Sequence, residues 1–484
     1  MAPTITIGGG SRRGSGCSTD VQRLIAKYGL AAHLAILAVA PLFLFPFCAT
    51  GTVAWVLVWL ALPTVLWTVL EPSIRVGERL YEARRRVMWE VSRDPLFWVS
   101  LVLVVFTGFR ALNTGIALNY DAEALTWRMS EPAFPLLPGV VGDSGNLPFA
   151  MTLACAVILQ GCRHSLGRSA RMVFLLLSSF LSGSAALVSL AALHGGAVGA
   201  LALLPSADGL VCSSVGLAFG LHLIGGLVAL VTIAEQRWGA AVPMLLLAIG
   251  GNGAGLVAFA LPHVSALLLG AAVVVLAYVL FFSSRTHSAS DMLKLTVIGV
   301  VALLLGGLLM AAVLPPAVLA ERLEVFPEFK LFPDRFWEIR GILSGVAFKS
   351  WVSQIWIGTG IASFPFDVRF GAQEADWALL PRGATMLANG WWLLLVERGL
   401  VGAVCFALPF AFLLFTYVRR LVGGVRGLEL PHPACLIAPV AFLLFVAAGF
   451  IDCSPLRGEA LMAMCAFLAV SAASFSKMGG GLNG

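Results

Sequence analysis

Two adjacent charges, Glu397 and Arg398, stand between apolar runs in the stretch ANGWWLLLVERGLVG, residues 388–402. A carboxylate there is a candidate general base, because it can accept a proton from a reacting hydroxyl within hydrogen-bond reach. The neighbouring guanidinium can bind anionic oxygens in a bidentate fork. The pair indicates a helix mouth that faces protein or a hydrated cavity. It would serve there either in chemistry or in an ion pair that holds a loop against the bundle.

Several other arginines precede this pair. Arg110 ends an apolar run, where a charge is costly unless it is paired, hydrated or extended to the interface. The remaining ones lie in or beside the polar stretch 315–398. Together they would form a cationic pocket for a polyanionic group, beside Glu397 as the catalytic candidate. The candidate binding arginines are Arg110, Arg335, Arg340, Arg369, Arg382 and Arg398.

The composition places these residues in a membrane protein. The chain is 59% hydrophobic and only 12% charged, and apolar runs long enough to span a bilayer recur from residue 29 to residue 475. We see none of the alternating segments that are typical of a barrel. The net charge of +6 belongs to predicted cytoplasmic loops that face anionic lipids, and nothing indicates nucleic acid. The nine cysteines form no C-x-x-C pattern, so we predict no disulfide framework, metal site or cofactor.

The predicted fold is all-α: a polytopic bundle of about ten to twelve transmembrane helices with one large external loop. Basic residues concentrate in alternate loops, which predicts that both termini are cytoplasmic and that the large loop lies outside. The division between residues 238 and 283 is open, because one run is short and the next, which contains Pro262, is long. The predicted segments are a disordered tail at 1–28, a bundle of about nine helices at 29–314, the external loop at 315–398, helices at 399–475 and a tail at 476–484.

Three motifs in the large loop occur in a recognisable order. A predicted amphipathic helix contains Arg335 and Trp337 on a stretch whose apolar positions include Ile339 and Leu343. It is followed by the glycine turn IGTGIASF, residues 357–364, and then by the stretch 388–402. This arrangement resembles the signature of the bacterial O-antigen ligase and O-antigen polymerase superfamily. The matching residues are Gly358, Gly360, Phe364, Asn389, Glu397, Gly399 and Gly402.

The resemblance implies a metal-independent, inverting membrane glycosyltransferase of GT-C-like architecture in the bacterial cytoplasmic membrane. Its donor would be a glycan linked to undecaprenyl diphosphate, and its acceptor a glycan or lipid, as in lipopolysaccharide and other envelope polysaccharide synthesis. Asn389 would belong to the substrate site, since it matches the second residue of a His-Asn pair in that family. Ala388 stands where the family has histidine, and Asn252 and His222 are the remnants of two further polar motifs.

Other functions remain open at this point. A non-catalytic relative could act as a scaffold or partner in a polysaccharide assembly system. A transporter is suggested by Pro243, Pro262, Asn252 and the glycines between residues 238 and 262, which could interrupt membrane helices. The charges Asp367 and Glu374 are expected to be solvated loop residues. The basic run 79–93, RLYEARRRVMWEVSR, is expected to be a solvated interfacial helix.

Overall fold

The protein is a bundle of apolar helices in its computed structural model. The structure describes residues 16–44, 47–48, 50–70, 78–116, 118–121, 126–129, 140–141, 146–196, 214–236, 241–260, 262–286, 296–302, 304–306, 308, 334–360, 363–373, 380, 388–425, 433–451 and 458–474.

In the first half of the chain, the described residues form six helices. They are α1 (Gly16–Leu44), α2 (Thr50–Leu70), α3 (Leu80–Ser92), α4 (Pro95–Leu112), α5 (Asn146–Gln160) and α6 (Arg168–His194), with a π-helical turn at Gly161–Ser165 between the last two. The described residues between α4 and α5 include four short strands. The parallel pair joins β1 (Thr114–Ile116) to β4 (Val140–Val141), and the antiparallel pair joins β2 (Leu118–Asp121) to β3 (Thr126–Met129).

In the second half of the chain, the described residues form eight further helices in addition to the segment at Thr296–Gly306. They are α7 (Ser214–Gln236), α8 (Val242–Phe259), α9 (Pro262–Thr286), α10 (Asp334–Ser353), α11 (Phe364–Gly371), α12 (Gly390–Val425), α13 (Pro433–Ile451) and α14 (Gly458–Ser474). A further apolar helical segment runs through Thr296–Gly306.

Five of the described helices are long and apolar enough to cross a membrane, which confirms a helical membrane protein. They comprise Pro95–Leu112, Ser169–His194, Val242–Phe259, Val264–Phe282 and Gly390–Phe415. Shorter apolar helices accompany them at Tyr28–Leu44, Gly51–Trp67, Ser214–Leu230, Thr296–Gly306 and Pro439–Phe450. The predicted total of about ten to twelve spans goes beyond these five and stays a prediction.

The core lies where α6, α7 and α8 meet, with α1 and α14 packed around them. Close approach of α6 and α8 depends on small residues: a Cβ built on Gly251 would lie 2.5 Å from the carbonyl oxygen of Gly183. Asn252 fastens the same crossing, since its side chain accepts from Ser182 Oγ at 2.7 Å and donates to Ser179 O at 2.8 Å. In a membrane such polar links hold helices together without a hydrophobic driving force.

Several predicted boundaries move in the structure. Helix α8 ends at Phe259 and α9 begins at Pro262, because proline lacks the N–H that a helix interior requires and fits only the first turn. The tail predicted at 1–28 overlaps α1, which already begins at Gly16. The four short strands lie in a segment for which we predicted no strand. Long-range strand pairing leaves little trace in such short stretches.

The large loop contains the predicted amphipathic helix. Four apolar residues of α10 are buried and lie on one face of the helix: Ile339, Leu343, Val346 and Ala347. They pack with Phe364 of α11 and Val396 of α12 in a second apolar cluster that is separate from the main core. This cluster positions the glycine turn between α10 and α11 against the N-terminal part of α12.

Candidate functional site

Arg110 is the buried cation around which the candidate site is built. It lies in the last turn of α4, with 4% of its surface exposed. Its Nη1 donates to the carbonyl oxygen of Glu397 at 2.5 Å, and its Nη2 donates to the carbonyl oxygen of Ile357. A buried guanidinium needs such acceptors to offset the loss of water. Arg110 therefore joins α4 to two distant segments of the large loop.

Those two segments also bond to each other through their backbones. Residues 355–360 and 396–401 form an interlock, in which Thr359 N donates to Val396 O at 2.7 Å and Gly360 N to Glu397 O at 3.2 Å. In the opposite direction, Leu400 N donates to Ile355 O at 2.8 Å and Val401 N to Trp356 O at 3.1 Å. The two motifs that the sequence analysis singled out are thus in direct contact.

Two glycines make this interlock possible. Gly358 and Gly399 both have positive φ, at 74° and 64°, and Gly399 has ψ of −175°, a region that side chains rarely adopt. A Cβ on Gly358 would lie 2.7 Å from Arg398 N, and a Cβ on Gly399 would lie 2.5 Å from Gly358 N. The break at Gly399 interrupts the helical dihedral angles of α12 and frees the groups that pair with residues 355–360.

A cluster of two hydroxyl groups and one carboxyl group lies against the interlock. Thr359 Oγ1 is 3.0 Å from Asp367 Oδ2 and 2.6 Å from Ser363 Oγ, and Ser363 Oγ donates to Gly360 O at 2.8 Å. Burial raises the pKa of Asp367, although hydrogen bonds from Thr359 and Ser363 partly oppose that rise. The expectation of a solvated loop charge was wrong for Asp367, because the first turn of α11, which contains Asp367, faces the interlock.

Glu397 and Arg398 directly precede the break at Gly399. The carbonyl oxygen of Glu397 accepts from both Arg110 and Gly360. The guanidinium of Arg398 lies 5.7 Å from the ring centroid of Phe406, and Gly402 packs against the Cβ of Arg398. The structure thus brings Arg110, Glu397 and Arg398 together, and the observed tie between Arg110 and Glu397 uses the backbone of Glu397.

Asn389 begins the helix that leads to this break. Its Oδ1 accepts from Trp391 N at 2.9 Å, which satisfies one of the free N–H groups at the start of α12. Ala388, beside it, is buried in the apolar cluster with Phe364 and Leu343. The site therefore uses Asn389 as a helix cap, and Ala388 contributes an apolar methyl group to the adjacent cluster.

Of the other predicted binding arginines, Arg340 and Arg369 have side chains that the structure describes. Arg340 on α10 lies with its guanidinium 5.9 Å from the ring of Trp337, and Arg369 on α11 is exposed. Arg335 also lies on α10. Arg382 lies outside the described residues, as does Glu374.

The remaining polar positions named by the sequence lie in the bundle core. His222 on α7 is fully buried, with its ring 5.4 Å from that of Phe467 in an edge-to-face arrangement. Within the described part of the chain, neither of its ring nitrogens has a hydrogen-bond partner. The side chain of Asn252 is fully engaged in the α6 and α8 crossing described above. Neither residue belongs to the interlock.

A second charged cluster, which the sequence reasoning missed, lies at the opposite end of α4. Asp94 caps α4 by accepting from Leu96 N at 3.1 Å. His164 Nε2 lies 2.9 Å and Arg163 Nε 3.3 Å from Asp94 Oδ2. Burial alone would raise the pKa of Asp94, but the hydrogen bond from His164 and the charge of Arg163 bring that pKa below its ordinary value. The signal in the sequence was an Asp-Pro helix start, which marks a cap and names no partners.

The described residues contain no group of three or more His, Cys, Asp and Glu side chains arranged to hold a metal ion. Comparison of the chain with protein-family models and with characterised proteins gave no match.

Proposed function

We propose that this protein is a membrane glycosyltransferase of the O-antigen ligase or polymerase type, acting outside the bacterial cytoplasmic membrane. Its donor would be a glycan on undecaprenyl diphosphate, and its acceptor a second glycan or a lipid. The proposal includes the finer architecture: about ten to twelve spans, a GT-C-like bundle, cytoplasmic termini and an external loop at 315–398.

One observation carries the proposal. The glycine turn and the Glu-x-Gly stretch, which are far apart in sequence, form a reciprocal backbone interlock, and Arg110 joins both to a membrane helix. Two motifs whose only role was to maintain separate helices would not need to contact each other. A rigid joint beside paired charges at a helix mouth supports a preorganised site for a charged, lipid-linked substrate.

The proposed chemistry is a displacement at the anomeric carbon. The acceptor hydroxyl attacks that carbon while the bond to the diphosphate oxygen breaks, and undecaprenyl diphosphate leaves with the electron pair. Arg398 would stabilise the leaving diphosphate, with Arg335, Arg340, Arg369 and Arg382 of the large loop as further binding candidates. The hydroxyl proton would pass to a carboxylate, for which Glu397 and Asp367 are the two candidates.

Asp367 strengthens the case for a base at this site. A raised pKa makes a carboxylate a better proton acceptor near neutral pH, and two hydroxyl groups, of Thr359 and Ser363, fix its orientation. Asp367 would take the role of general base, for which the methyl side chain of Ala388 is unsuited. Arg110 and Asn389 would serve as positioning residues, because their observed contacts are with the backbone.

The test is complementation of a deletion strain with single variants whose membrane levels are measured. Asp367→Asn, Glu397→Gln and Arg398→Ala are the informative changes. Arg419→Gln serves as the control, because Arg419 is an exposed arginine near the opposite end of α12. We expect loss of surface glycan and accumulation of lipid-linked precursor for Arg398→Ala and for at least one carboxylate variant. Full restoration by all three variants would contradict the proposal.

A scaffold function is the second candidate. It is favoured by the apolar Ala388 at the family's histidine position and by the use of Arg110 and Asn389 in holding backbone. The same complementation distinguishes it, because a scaffold tolerates isosteric changes such as Asp367→Asn when the protein level is normal. An enzyme that uses the carboxylate does not.

A further inference from the structure

Helix α3 has an exposed face of mixed basic and apolar character. Tyr81, Arg84, Arg85 and Met88 follow the i, i+3, i+4, i+7 spacing that places side chains on one side of a helix. Tyr81 is 73% and Met88 54% exposed. Ala83 and Val87 point the other way and are buried. We call the exposed or half-buried side chains of Tyr81, Arg84, Arg85 and Met88 the α3 basic face.

The arginines of this face make no ion pair within the described part of the chain. The acids nearby are engaged elsewhere: Glu78 and Glu90 bind Arg86, at 2.8 Å and 3.8 Å, and Glu82 accepts from the backbone N–H of Arg79. Arg84 Nε donates to Leu70 O at 2.9 Å, which orients the guanidinium and leaves its outer nitrogens available. The face therefore presents oriented positive charge.

Its location in the fold indicates what meets that charge. The bond from Arg84 to Leu70 fixes α3 at the end of α2, and only two residues separate the end of α3 from the start of α4 at Pro95. Since α4 is one of the five described helices that are long and apolar enough to span a membrane, an interfacial position is the one expected for α3. Exposed Trp89, with the Arg93 guanidinium 3.8 Å from its ring centroid, extends the same interfacial character.

We propose that the α3 basic face is a binding site for the head group of an anionic phospholipid. Arg84 and Arg85 bind the phosphate, while Met88 and Tyr81 between them contact the glycerol and upper acyl region. Arginine forks suit phosphate oxygens, and the apolar pair suits a ligand that is charged at one end and apolar at the other. This site is independent of the proposed glycan chemistry.

The experiment measures lipid retention by the full chain purified in detergent. Native mass spectrometry follows the titration of phosphatidylglycerol and, separately, of phosphatidylcholine. Wild type is expected to bind phosphatidylglycerol more tightly. The double variant Arg84→Gln and Arg85→Gln should weaken that binding about 25-fold, since each basic residue at an anionic surface contributes about fivefold. Replacing both arginines by lysine should retain most of the affinity.

The matched control is Arg419→Gln, which removes an exposed arginine elsewhere and should leave binding unchanged. Equal phosphatidylglycerol binding by wild type and the double glutamine variant would overturn the proposal. So would equal binding of phosphatidylcholine. Displacement of the lipid by inorganic phosphate at equal concentration would show a site for free anions and would also overturn it.

Discussion

Arg110 shows how one buried cation is accommodated at a helix end. Its two guanidinium nitrogens reach the carbonyl oxygens of Glu397 and Ile357, so the charge is solvated by backbone in place of water. The sequence predicted a functional arginine here, or one that extends to the interface. Both roles place an arginine at this sequence position, so only the contacts of Arg110 in the folded protein distinguish a functional arginine from one that extends to the interface.

The first prediction concerns this contact. Arg110→Lys keeps the charge, but an ammonium group cannot bridge two carbonyl oxygens as a planar fork does. We expect the free energy of unfolding to fall by about 1.5 to 3 kcal/mol, the contribution typical of one charged hydrogen bond. Denaturant titration of the purified protein in detergent measures it. Arg369→Lys, at an exposed position, is the control, and an equal loss there would contradict the explanation.

The second prediction concerns Asp367 and pH. Because its pKa is raised in the folded state, the folded protein holds this proton more tightly than the unfolded chain does. Docking of the loop is therefore strongest below the ordinary pKa of 3.8 and weakens as pH rises through the raised value. Hydrogen exchange of residues 355–371 should show protection that falls with rising pH in wild type, and a smaller pH dependence in Asp367→Asn. Protection that rises with pH in wild type would contradict this sign.

At the scale of elements, the interlock depends on two glycines in left-handed conformations. The third prediction is that Gly399→Ala lowers the free energy of unfolding by about 3 kcal/mol, from strained dihedral angles and from contact with the backbone of residues 356–358. Gly345→Ala is the matched control. A Cβ at Gly345 on α10 meets nothing within 4 Å, so alanine should stabilise that helix by about 0.5 to 1 kcal/mol. Similar losses in both variants would show that the interlock is not the cause.

Elements differ in how far their sequence predicts them. The spacing of Ile339, Leu343 and Val346 predicted the buried side of α10, because helical periodicity is local. The pairing of residues 355–360 with 396–401 has no such local signal, since it joins irregular backbone across α11 and the start of α12. Asp367 was misjudged for the same reason: polar residues in loops are usually solvated, and its hydroxyl partners become neighbours only on folding.

At the scale of the whole molecule, α4 carries buried charge at both ends. Asp94 caps its start and Arg110 lies in its last turn. Because a helix rises about 1.5 Å per residue, its 18 residues span about 27 Å, close to the thickness of a hydrocarbon core. The composition predicted a membrane protein and the structure confirms it. The number of spans is less well determined by sequence, because proline and glycine allow neighbouring apolar runs to be divided in more than one way.

The fourth prediction is topological. Arg369→Cys on α11 should react with a membrane-impermeant maleimide in intact cells, because the large loop is predicted to face outwards. Arg85→Cys on α3 should react only after the membrane is opened. Both side chains are exposed, so their accessibility to reagent within the protein is comparable. The reverse labelling pattern would contradict the orientation.

The most direct test of the central claim uses the purified protein and lipid-linked precursor extracted from a deletion strain. Release of undecaprenyl diphosphate, followed by mass spectrometry, measures the proposed displacement itself. We predict release by wild type, and a loss of at least about 100-fold in Arg398→Ala and in the carboxylate variant that fails to complement. A wild-type protein that restores the glycan in cells, yet releases no undecaprenyl diphosphate from this precursor when supplied with acceptor, would contradict the enzyme and establish the scaffold.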